Sequence, residues 1–330
     1  MRGRRSVDRP RHDRKVGAKA PTPRRPLRVV IVAVALAATA IGAWTLGVNV
    51  AERRAAVDDR PLAHIGHVHA LAAPAWLEGD LLVGTHHGLL RWSQEEGWRA
   101  VGPHGHDFMG LAADPEREGV LYGSGHPDLR SDLVNPLGLI VSEDGGRTWA
   151  PRSLTGRSDF HAMTATDATL WGWDVMGPVV VRSLDGGVTW DSSDDGALGG
   201  AGMVFALAAD PASDDGVFAA TGDGLWRTPG DAAWQRIAFA GSPVTAVHGA
   251  PDAIWAFVAE REVGMLRSDD EGATWQRVPL GVDEGFAVVA IVSDPGDPRR
   301  VFAAVTNGDL LHSDDLGASW RAIMRGADPR

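Results

Sequence analysis

The sequence predicts an all-β fold, a six-bladed β-propeller of four-stranded antiparallel blades, preceded by one transmembrane helix. A turn motif of the form Ser-x-Asp-x-Gly-x-Thr-Trp recurs along the chain, and apolar runs of strand length precede each copy. The unit repeats six times, and its closing tryptophans stand 41 to 51 residues apart. Four strands in a repeat of roughly 40–45 residues are typical of propeller blades. A seventh, degenerate blade is the alternative.

The N-terminal residues predict a membrane anchor. Residues 1–26 are rich in Arg and Pro without periodicity, which predicts a disordered basic cytoplasmic tail. Residues 27–50 are the predicted helix, because positions 29–51 carry no charge and about 20 apolar residues span a bilayer. Residues 1–28 have a formal charge of +9 and the remainder −20, so the body is expected outside the cell membrane.

A cleaved signal peptide is the alternative to the anchor, with Ala38-Thr39-Ala40 as its small-residue cleavage site. The apolar run is longer than the roughly 7–15 residues usual in signal peptides, which favours the uncleaved anchor. Residues 51–62 then form a linker, and residues 63–330 form the propeller.

The turn motif is expected to close a tight hairpin. Its Asp can accept hydrogen bonds from backbone N–H groups two residues on, its Gly allows a positive φ, and its Trp opens the next strand. Two further copies, Ser93–Trp98 and Thr228–Trp234, are degenerate. The motif residues of the four intact copies are Asp144, Gly146, Trp149, Asp185, Gly187, Trp190, Asp270, Gly272, Trp275, Asp315, Gly317 and Trp320.

The motif resembles the Asp-box, or BNR, repeat of sialidase-like and photosystem-assembly-factor-like β-propellers, including chains labelled glycosyl hydrolases. The resemblance implies that each box joins the third and fourth strands of a blade and that the first strand lines a central channel. It also implies that the boxes lie on one rim and the loops between strands two and three on the other. The box is a folding signature in that family and implies no active site.

Composition narrows the function classes. The absence of Cys excludes disulfides and thiolate metal sites, and the acidic body argues against nucleic-acid binding. Sialidases need a Tyr nucleophile and an Arg cluster, whereas the single tyrosine here, Tyr122, lies in a predicted second strand. A glycosidase with two carboxylates stays open, so whether the protein is an enzyme stays open too. The candidate carboxylates are Asp107, Asp128, Asp159, Asp174 and Asp223.

Histidines concentrate in the first three repeats: nine of the twelve lie between His64 and His161. Alignment of the first strands gives one column of His69, Met109, His161, Phe205, Thr245 and Val289. The column two residues earlier is His67, Asp107, Asp159, Met203, Pro243 and Ala287. Alternation along a strand sends both columns to the same face, at the channel mouth. Loops between strands two and three add His86, His87 and His126 nearby.

These side chains predict a transition-metal site, with Cu or Zn as the ion. The predicted ligands are His67, His69, His87, Asp107, His126, Asp159 and His161. The Met109 thioether would favour Cu(I). The competing interpretation is a wet channel whose polar side chains bond one another. Trp171 and Trp173 could stack on a ligand at this rim, with packing between blades as the alternative.

The functional hypothesis is therefore ligand binding, by a metal ion, at the rim of blades 1–3 of an extracytoplasmic propeller. One alternative is a glycoside hydrolase that uses the rim carboxylates. The other is a scaffold for protein interaction or assembly. A protein partner or a glycan ligand stays open.

Overall fold

The computed structural model describes residues 66–102, 105–193, 196–283 and 285–329, which form a ring of six antiparallel sheets. The predicted tail, membrane helix and linker, residues 1–62, lie outside the described residues. Within the described part the only helical segments are two 3₁₀ turns, Ala75–Leu77 and Leu198–Gly200. No helix in that part is long and apolar enough to cross a bilayer.

Each blade is built from one continuous segment whose strands run outward from the axis. Blade 1 is β1 Val68–Ala72, β2 Leu81–Thr85, β3 Gly88–Ser93, β4 Gly97–Val101, and blade 2 is β5 Asp107–Ala113, β6 Leu121–His126, β7 Leu139–Ser142, β8 Ala150–Ser153. Blade 3 is β9 Phe160–Ala165, β10 Leu170–Asp174, β11 Val179–Ser183, β12 Asp191–Ser192, and blade 4 is β13 Val204–Ala209, β14 Val217–Thr221, β15 Gly224–Thr228, β16 Gln235–Ala238. Blade 5 is β17 Val244–Ala250, β18 Ala253–Val258, β19 Gly264–Ser268, β20 Gln276–Arg277, and blade 6 is β21 Val288–Asp294, β22 Asp297–Val305, β23 Leu310–Ser313, β24 Arg321–Arg325 with a short fifth strand, β25 Asp328–Pro329.

The predicted fold is confirmed: the described residues form six blades, not seven, and every sheet is antiparallel. The ring closes by packing alone, since blades 1 and 6 share no strand. An apolar cluster fills the seam between them, with Trp92 of blade 1 against Phe302 of blade 6 at a ring-centroid distance of 5.7 Å. Trp98 also donates its indole N–H to the Ile323 carbonyl across this seam at 3.0 Å.

The tryptophan that closes each repeat packs into the seam with the preceding blade. Each of the six seams has its own apolar cluster, and one of these tryptophans packs into or against every cluster. Burial of one large aromatic per seam explains why the repeat retains Trp at this position. The six are Trp98, Trp149, Trp190, Trp234, Trp275 and Trp320.

The turn motifs share one hydrogen-bond pattern. In the first copy, Asp144 Oδ1 accepts the Thr148 N–H at 2.8 Å, and Asp144 Oδ2 accepts the Thr148 hydroxyl at 2.6 Å. The Ser142 hydroxyl in turn accepts the Gly146 N–H at 2.8 Å. The carboxylate therefore bonds the residue four positions on, rather than the backbone two positions on that the sequence predicted.

The glycine prediction is confirmed in all four intact motifs, whose glycines have φ between 81° and 89°. Gly187 also has a packing role, since an added Cβ would lie 2.0 Å from Leu139 Cδ2 of the preceding blade. Both the backbone conformation and the close approach to the neighbouring blade thus require glycine there.

The innermost strands β1, β5, β9, β13, β17 and β21 surround the axis, and each has a register shift at its start. The extra residue is His69, Met109, His161, Phe205, Thr245 and Val289 in turn, which is the first predicted column. A bulge turns the side chain of its extra residue out of the ladder. The axis holds a cavity of ≈ 340 Å³ whose lining includes the bulge residues His69, Met109 and His161 as well as alanines such as Ala112 and Ala208.

Candidate metal centre

Three positions in each blade face the rim opposite the turn motifs. The bulge position is the extra residue of the innermost strand. The entry position lies two residues before the bulge position. The turn position lies opposite the entry position, where the second strand meets the turn to the third strand, as His126 lies opposite Asp107. It is not part of the turn motif, which joins strands three and four. The entry residues are His67, Asp107, Asp159, Met203, Pro243 and Ala287. The turn residues are His86, His126, Val175, Gly222, Ala259 and Thr306.

The seam between blades 1 and 2 brings together His69, His86 and Asp107. His86 Nδ1 lies 2.9 Å from Asp107 Oδ1, and His69 Nε2 lies 3.8 Å from the same oxygen. The two imidazole rings stand nearly perpendicular, with centroids 4.3 Å apart. One ligand atom of each residue lies within 4.8 Å of the others. Ligand atoms about 2.0–2.1 Å from a tetrahedral zinc ion stand about 3.3 Å from one another, so these spacings fit one ion.

One buried nitrogen of this group, His69 Nε2, has no hydrogen-bond partner among the described residues. It lies 3.8 Å from Asp107 Oδ1, whose close neighbour is His86 Nδ1 at 2.9 Å. A buried polar atom without a partner costs about 1–3 kcal/mol. An ion between the three side chains would remove this cost.

The protonation states suit metal binding. Burial, followed by the nearby His86, lowers the pKa of His69 from 6.5 to about 3, although Asp107 acts to raise it. Burial acts to raise the pKa of Asp107, but the close His86 and the further histidines His69 and His126 lower it below its ordinary value. At neutral pH the group therefore holds a neutral imidazole beside a carboxylate, the forms that bind metals.

The next seam, between blades 2 and 3, holds a second cluster. His161 Nε2 lies 3.0 Å from Asp159 Oδ2, and His126 Nε2 lies 3.7 Å from that oxygen. The Asp159 side chain is only 6% exposed, and its Oδ1 has no hydrogen-bond partner among the described residues. The predicted ligands thus do not converge on one point: His69 and Asp107 meet at one seam, and His126, Asp159 and His161 meet at the next.

The remaining predicted ligands lie beside the first triad. The exposed His67 packs edge-on against His86 at a centroid distance of 5.6 Å, and the exposed His87 lies 6.4 Å from His86. His86, by contrast, was not among the predicted ligands. Strand β2 ends at Thr85, and the turn that follows decides which of the two adjacent histidines faces Asp107, which periodicity does not reveal. Met109 is buried at its bulge and is not part of the triad.

The other candidate carboxylates form ion pairs or hydrogen bonds that hold the local backbone. Asp128 pairs with Arg130 at 2.9 Å and accepts the Gly105 N–H, and these contacts lower its pKa to about 2 despite the opposing effect of burial. Asp174 accepts the backbone N–H groups of Asp159 and Met176. Asp223 pairs with Arg236 and accepts the Gly241 N–H.

The aromatic candidates also pack structurally. The Tyr122 hydroxyl donates to Asp114 Oδ2 at 2.9 Å, and burial with this contact raises the pKa of Tyr122 to about 12. Trp171 and Trp173 are buried in the cluster between blades 3 and 4. They therefore pack between blades, which was the alternative to stacking on a ligand.

Comparison with known proteins identifies the fold. No protein-family model and no curated protein matches the chain. A GH74 enzyme structure from Niastella koreensis is similar at 15% identity and a TM-score of 0.58, over 79% of this chain and 46% of that one. The GH74 xyloglucanase from Xanthomonas campestris is similar at 18% identity and a TM-score of 0.54, over the same shares. YCF48 from Cyanidioschyzon merolae aligns over 79% of this chain and 86% of its own at 16% identity, with a TM-score of 0.49.

The likenesses to the two GH74 structures show a shared β-propeller fold and nothing finer. The chain spans less than half the length of the GH74 enzymes, and its identity to each is below 20%. Propellers of one architecture perform unrelated functions. The function must therefore be inferred from the side chains at the rim opposite the turn motifs.

Proposed function

We propose that this protein is a membrane-anchored, extracytoplasmic β-propeller that binds a divalent transition metal at His69, His86 and Asp107. The observation that carries the proposal is the convergence of one ligand atom from each of these three residues within 4.8 Å of one another, with the buried His69 Nε2 lacking a hydrogen-bond partner among the described residues. His86 Nδ1 supplies a third ligand atom.

The competing interpretation, a hydrogen-bonded polar channel, predicts that the rim side chains satisfy one another. Asp128 and Asp174 behave in that way, since each accepts backbone N–H groups. The triad differs, because its His69 Nε2 is buried and has no hydrogen-bond partner among the described residues. Buried polar atoms in natural proteins are usually hydrogen-bonded. A bound cation would give this nitrogen a partner.

The donor set favours zinc over copper(I). Two imidazoles and one carboxylate match the ligands of zinc sites that keep a fourth position open for water or substrate. Cu(I) prefers sulfur donors, and the Met109 thioether is not part of the triad. The same donors also suit Fe(II), so metal identity is one outcome of the test.

The location rests on residues outside the described part. The uncharged run at positions 29–51, with eleven basic residues before it, supports an N-terminal anchor that leaves the propeller outside the cytoplasm. Two of the candidate carboxylates do not suit the general acid of a glycosidase. A general acid needs a raised pKa, whereas the pKa values of Asp107 and Asp128 are both lowered.

A second candidate function, docking of a protein partner on the same rim, has support from exposed apolar side chains. Five of the seven large hydrophobic residues exposed in the described part lie in loops of this rim. Exposed apolar residues grouped on one face favour an interaction surface. The five are Leu129, Val134, Met176, Met203 and Phe286. A partner that co-purifies in mild detergent, and is lost after Leu129→Ser with Met176→Ser, would support this function.

Metal content tests the main proposal. The full chain is purified in detergent, equilibrated with Zn²⁺, dialysed against metal-free buffer and analysed by mass spectrometry for metal per protein. We expect at least one retained ion, and loss of at least one after His69→Ala. His87→Ala, which removes an exposed histidine beside the triad, is the matched control and is expected to retain the parent content. A parent protein that retains no stoichiometric metal would refute the proposal.

A further inference from the structure

We infer that the seam between blades 2 and 3 is a second metal site, formed by His126, Asp159 and His161 and occupied by the same kind of divalent ion as the first. This inference rests on the proposed function of the first seam. It extends that function, because it assigns two ions to the rim rather than one.

The first argument is repetition. At both seams the turn residue of one blade approaches the entry residue of the next: His86 to Asp107 at 2.9 Å, and His126 to Asp159 at 3.7 Å. At both seams a bulge histidine completes the group. At the first seam it is His69 of blade 1, and at the second seam it is His161 of blade 3. The second cluster therefore repeats the donor set of the first, one blade further around the axis.

The second argument is a buried carboxylate with one oxygen that has no hydrogen bond among the described residues. The Asp159 side chain is only 6% exposed, and Oδ1 has no hydrogen-bond partner among the described residues. Its other oxygen has two histidine neighbours, at 3.0 Å and 3.7 Å. These two spacings lie on either side of the roughly 3.3 Å expected between ligand atoms on a tetrahedral zinc ion.

The third argument is the orientation of His126. Its Nδ1 lies 2.8 Å from Asn135 Oδ1. With the amide oxygen as the acceptor, Nδ1 carries the proton in the neutral ring. The other nitrogen, Nε2, lies 3.7 Å from Asp159 Oδ2. Metal-binding histidines are commonly fixed in this way, by a hydrogen bond from the ring nitrogen that does not bind the ion.

The remaining seams lack this arrangement. Across them the turn and entry residues are Val175 with Met203, Gly222 with Pro243, Ala259 with Ala287, and Thr306 with His67. None of these pairs combines an imidazole with a carboxylate. The donor set is thus confined to two adjacent seams, and we expect two ions.

The second ion should bind more weakly than the first. The ligand atoms of the second cluster are spread more widely than those of the first, which all lie within 4.8 Å of one another. Binding must also replace the existing His161–Asp159 hydrogen bond. We therefore expect two zinc affinities that differ at least tenfold.

Matched single variants of the full chain test the inference. His86→Ala removes a ligand of the first site alone, His126→Ala removes a ligand of the second alone, and His87→Ala is the control. Zn²⁺ stoichiometry is measured by titration calorimetry and by mass spectrometry, and Co²⁺ absorption in the visible region reports each occupied site. Thermal unfolding of each metal-free variant confirms that it is folded. Should His126→Ala unfold the protein, His126→Gln replaces it.

The two-site account expects two ions in the parent and in the control and one in each single variant. It expects none in the double variant that combines His86→Ala with His126→Ala. One ion that is lost in His86→Ala and kept in His126→Ala would overturn the second site and leave the proposed function intact. One ion lost in both variants would mean a single shared site, which also overturns the inference. No ion in the parent would refute both proposals.

Discussion

Blades 1–3 and blades 4–6 have the same backbone at the rim and different chemistry on it. The register shift that aims the bulge side chain occurs in all six innermost strands. In the first half the bulge residues are His69, Met109 and His161, whereas in the second half they are Phe205, Thr245 and Val289. The comparison teaches that the fold does not need histidine or aspartate there, since uncharged side chains without imidazole take the same places.

Polar side chains at these positions are costly to bury. The entry residues of blades 4–6, Met203, Pro243 and Ala287, carry no charge, whereas Asp107 and Asp159 bring carboxylates into partly or fully buried places. Burial of a carboxylate costs free energy that its partners must offset, and here the nearest partners are histidines. A carboxylate surrounded by histidines at two neighbouring seams is explained by a ligand more readily than by packing.

Replacement of Asp107 by alanine, the residue that blade 6 has at the entry position, should have the largest effect. Zinc affinity of the first site should fall at least about 100-fold, since loss even of groups that only orient a ligand costs 10–100-fold. The free energy of unfolding of the metal-free protein should fall slightly, because the lowered pKa of Asp107 means that its carboxylate is favoured in the folded state. Calorimetric titration and urea unfolding measure the two quantities. Unchanged zinc affinity would contradict the assignment of Asp107 as a ligand.

Gly187→Ala should do the reverse, damaging the fold and leaving the metal sites intact. Its φ of 85° and the 2.0 Å approach of an added Cβ to Leu139 predict a loss of about 2–4 kcal/mol in unfolding free energy. Urea unfolding followed by Trp fluorescence measures the loss. Gly177→Ala is the matched control, because nothing lies within 4 Å of an added Cβ there and it should be near neutral. Equal stability of the two variants would contradict the account.

Acid should destabilise the second half of the ring through His248 and His312. Burial lowers the pKa of each from 6.5 to about 4. Between pH 6.5 and pH 4 the unfolded chain therefore binds more protons than the folded one, so stability is full above pH 6.5 and falls as the pH drops toward 4. The loss should reach about 1–3 kcal/mol for each histidine.

The pH effect is testable at His312, whose ring stacks on Phe302 at 4.5 Å. Asp314 acts to raise its pKa, while Arg321 and Arg300 act with burial to lower it. His312→Val introduces the residue of the equivalent position in blade 2, Val141. Urea unfolding at several pH values should show a shallower decline below pH 6.5 in this variant than in the parent. An unchanged decline would exclude His312 as a source.

The smallest effect is expected from His87→Ala. The sequence predicts His87 as a ligand, but the structure places it on the exposed side of His86. Its removal should change unfolding free energy by less than about 0.5 kcal/mol and leave zinc affinity unchanged. Loss of metal in this variant, measured as metal per protein, would mean that His87 is a ligand, as the sequence predicts, and would contradict the triad.

Much of the fold could be predicted from the sequence, because each repeat contains the motifs that define its own strands and turn. The turn motif places the hairpin between strands three and four, and apolar alternation places the strands before it. The two columns of rim residues were also predictable, because equivalent residues of successive blades face a common axis. The columns identified His69, Asp107, Asp159 and His161 without any coordinates.

The pairing within the rim was not predictable. Which residues meet across a seam depends on the rotation between blades and on the bulge, neither of which has a signature in one chain. The seven predicted ligands therefore divide between two seams. Similarly, His86 and His87 are adjacent in a turn, and only the turn geometry directs His86 toward Asp107.

The central claim concerns where the ion binds, and anomalous diffraction tests it most directly. Crystals of the protein equilibrated with Zn²⁺ would be measured on both sides of the zinc absorption edge. The account predicts an anomalous difference peak between His69 Nε2, His86 Nδ1 and Asp107 Oδ1. A zinc-loaded crystal with no peak at that point, or with peaks only at surface histidines elsewhere, would contradict it.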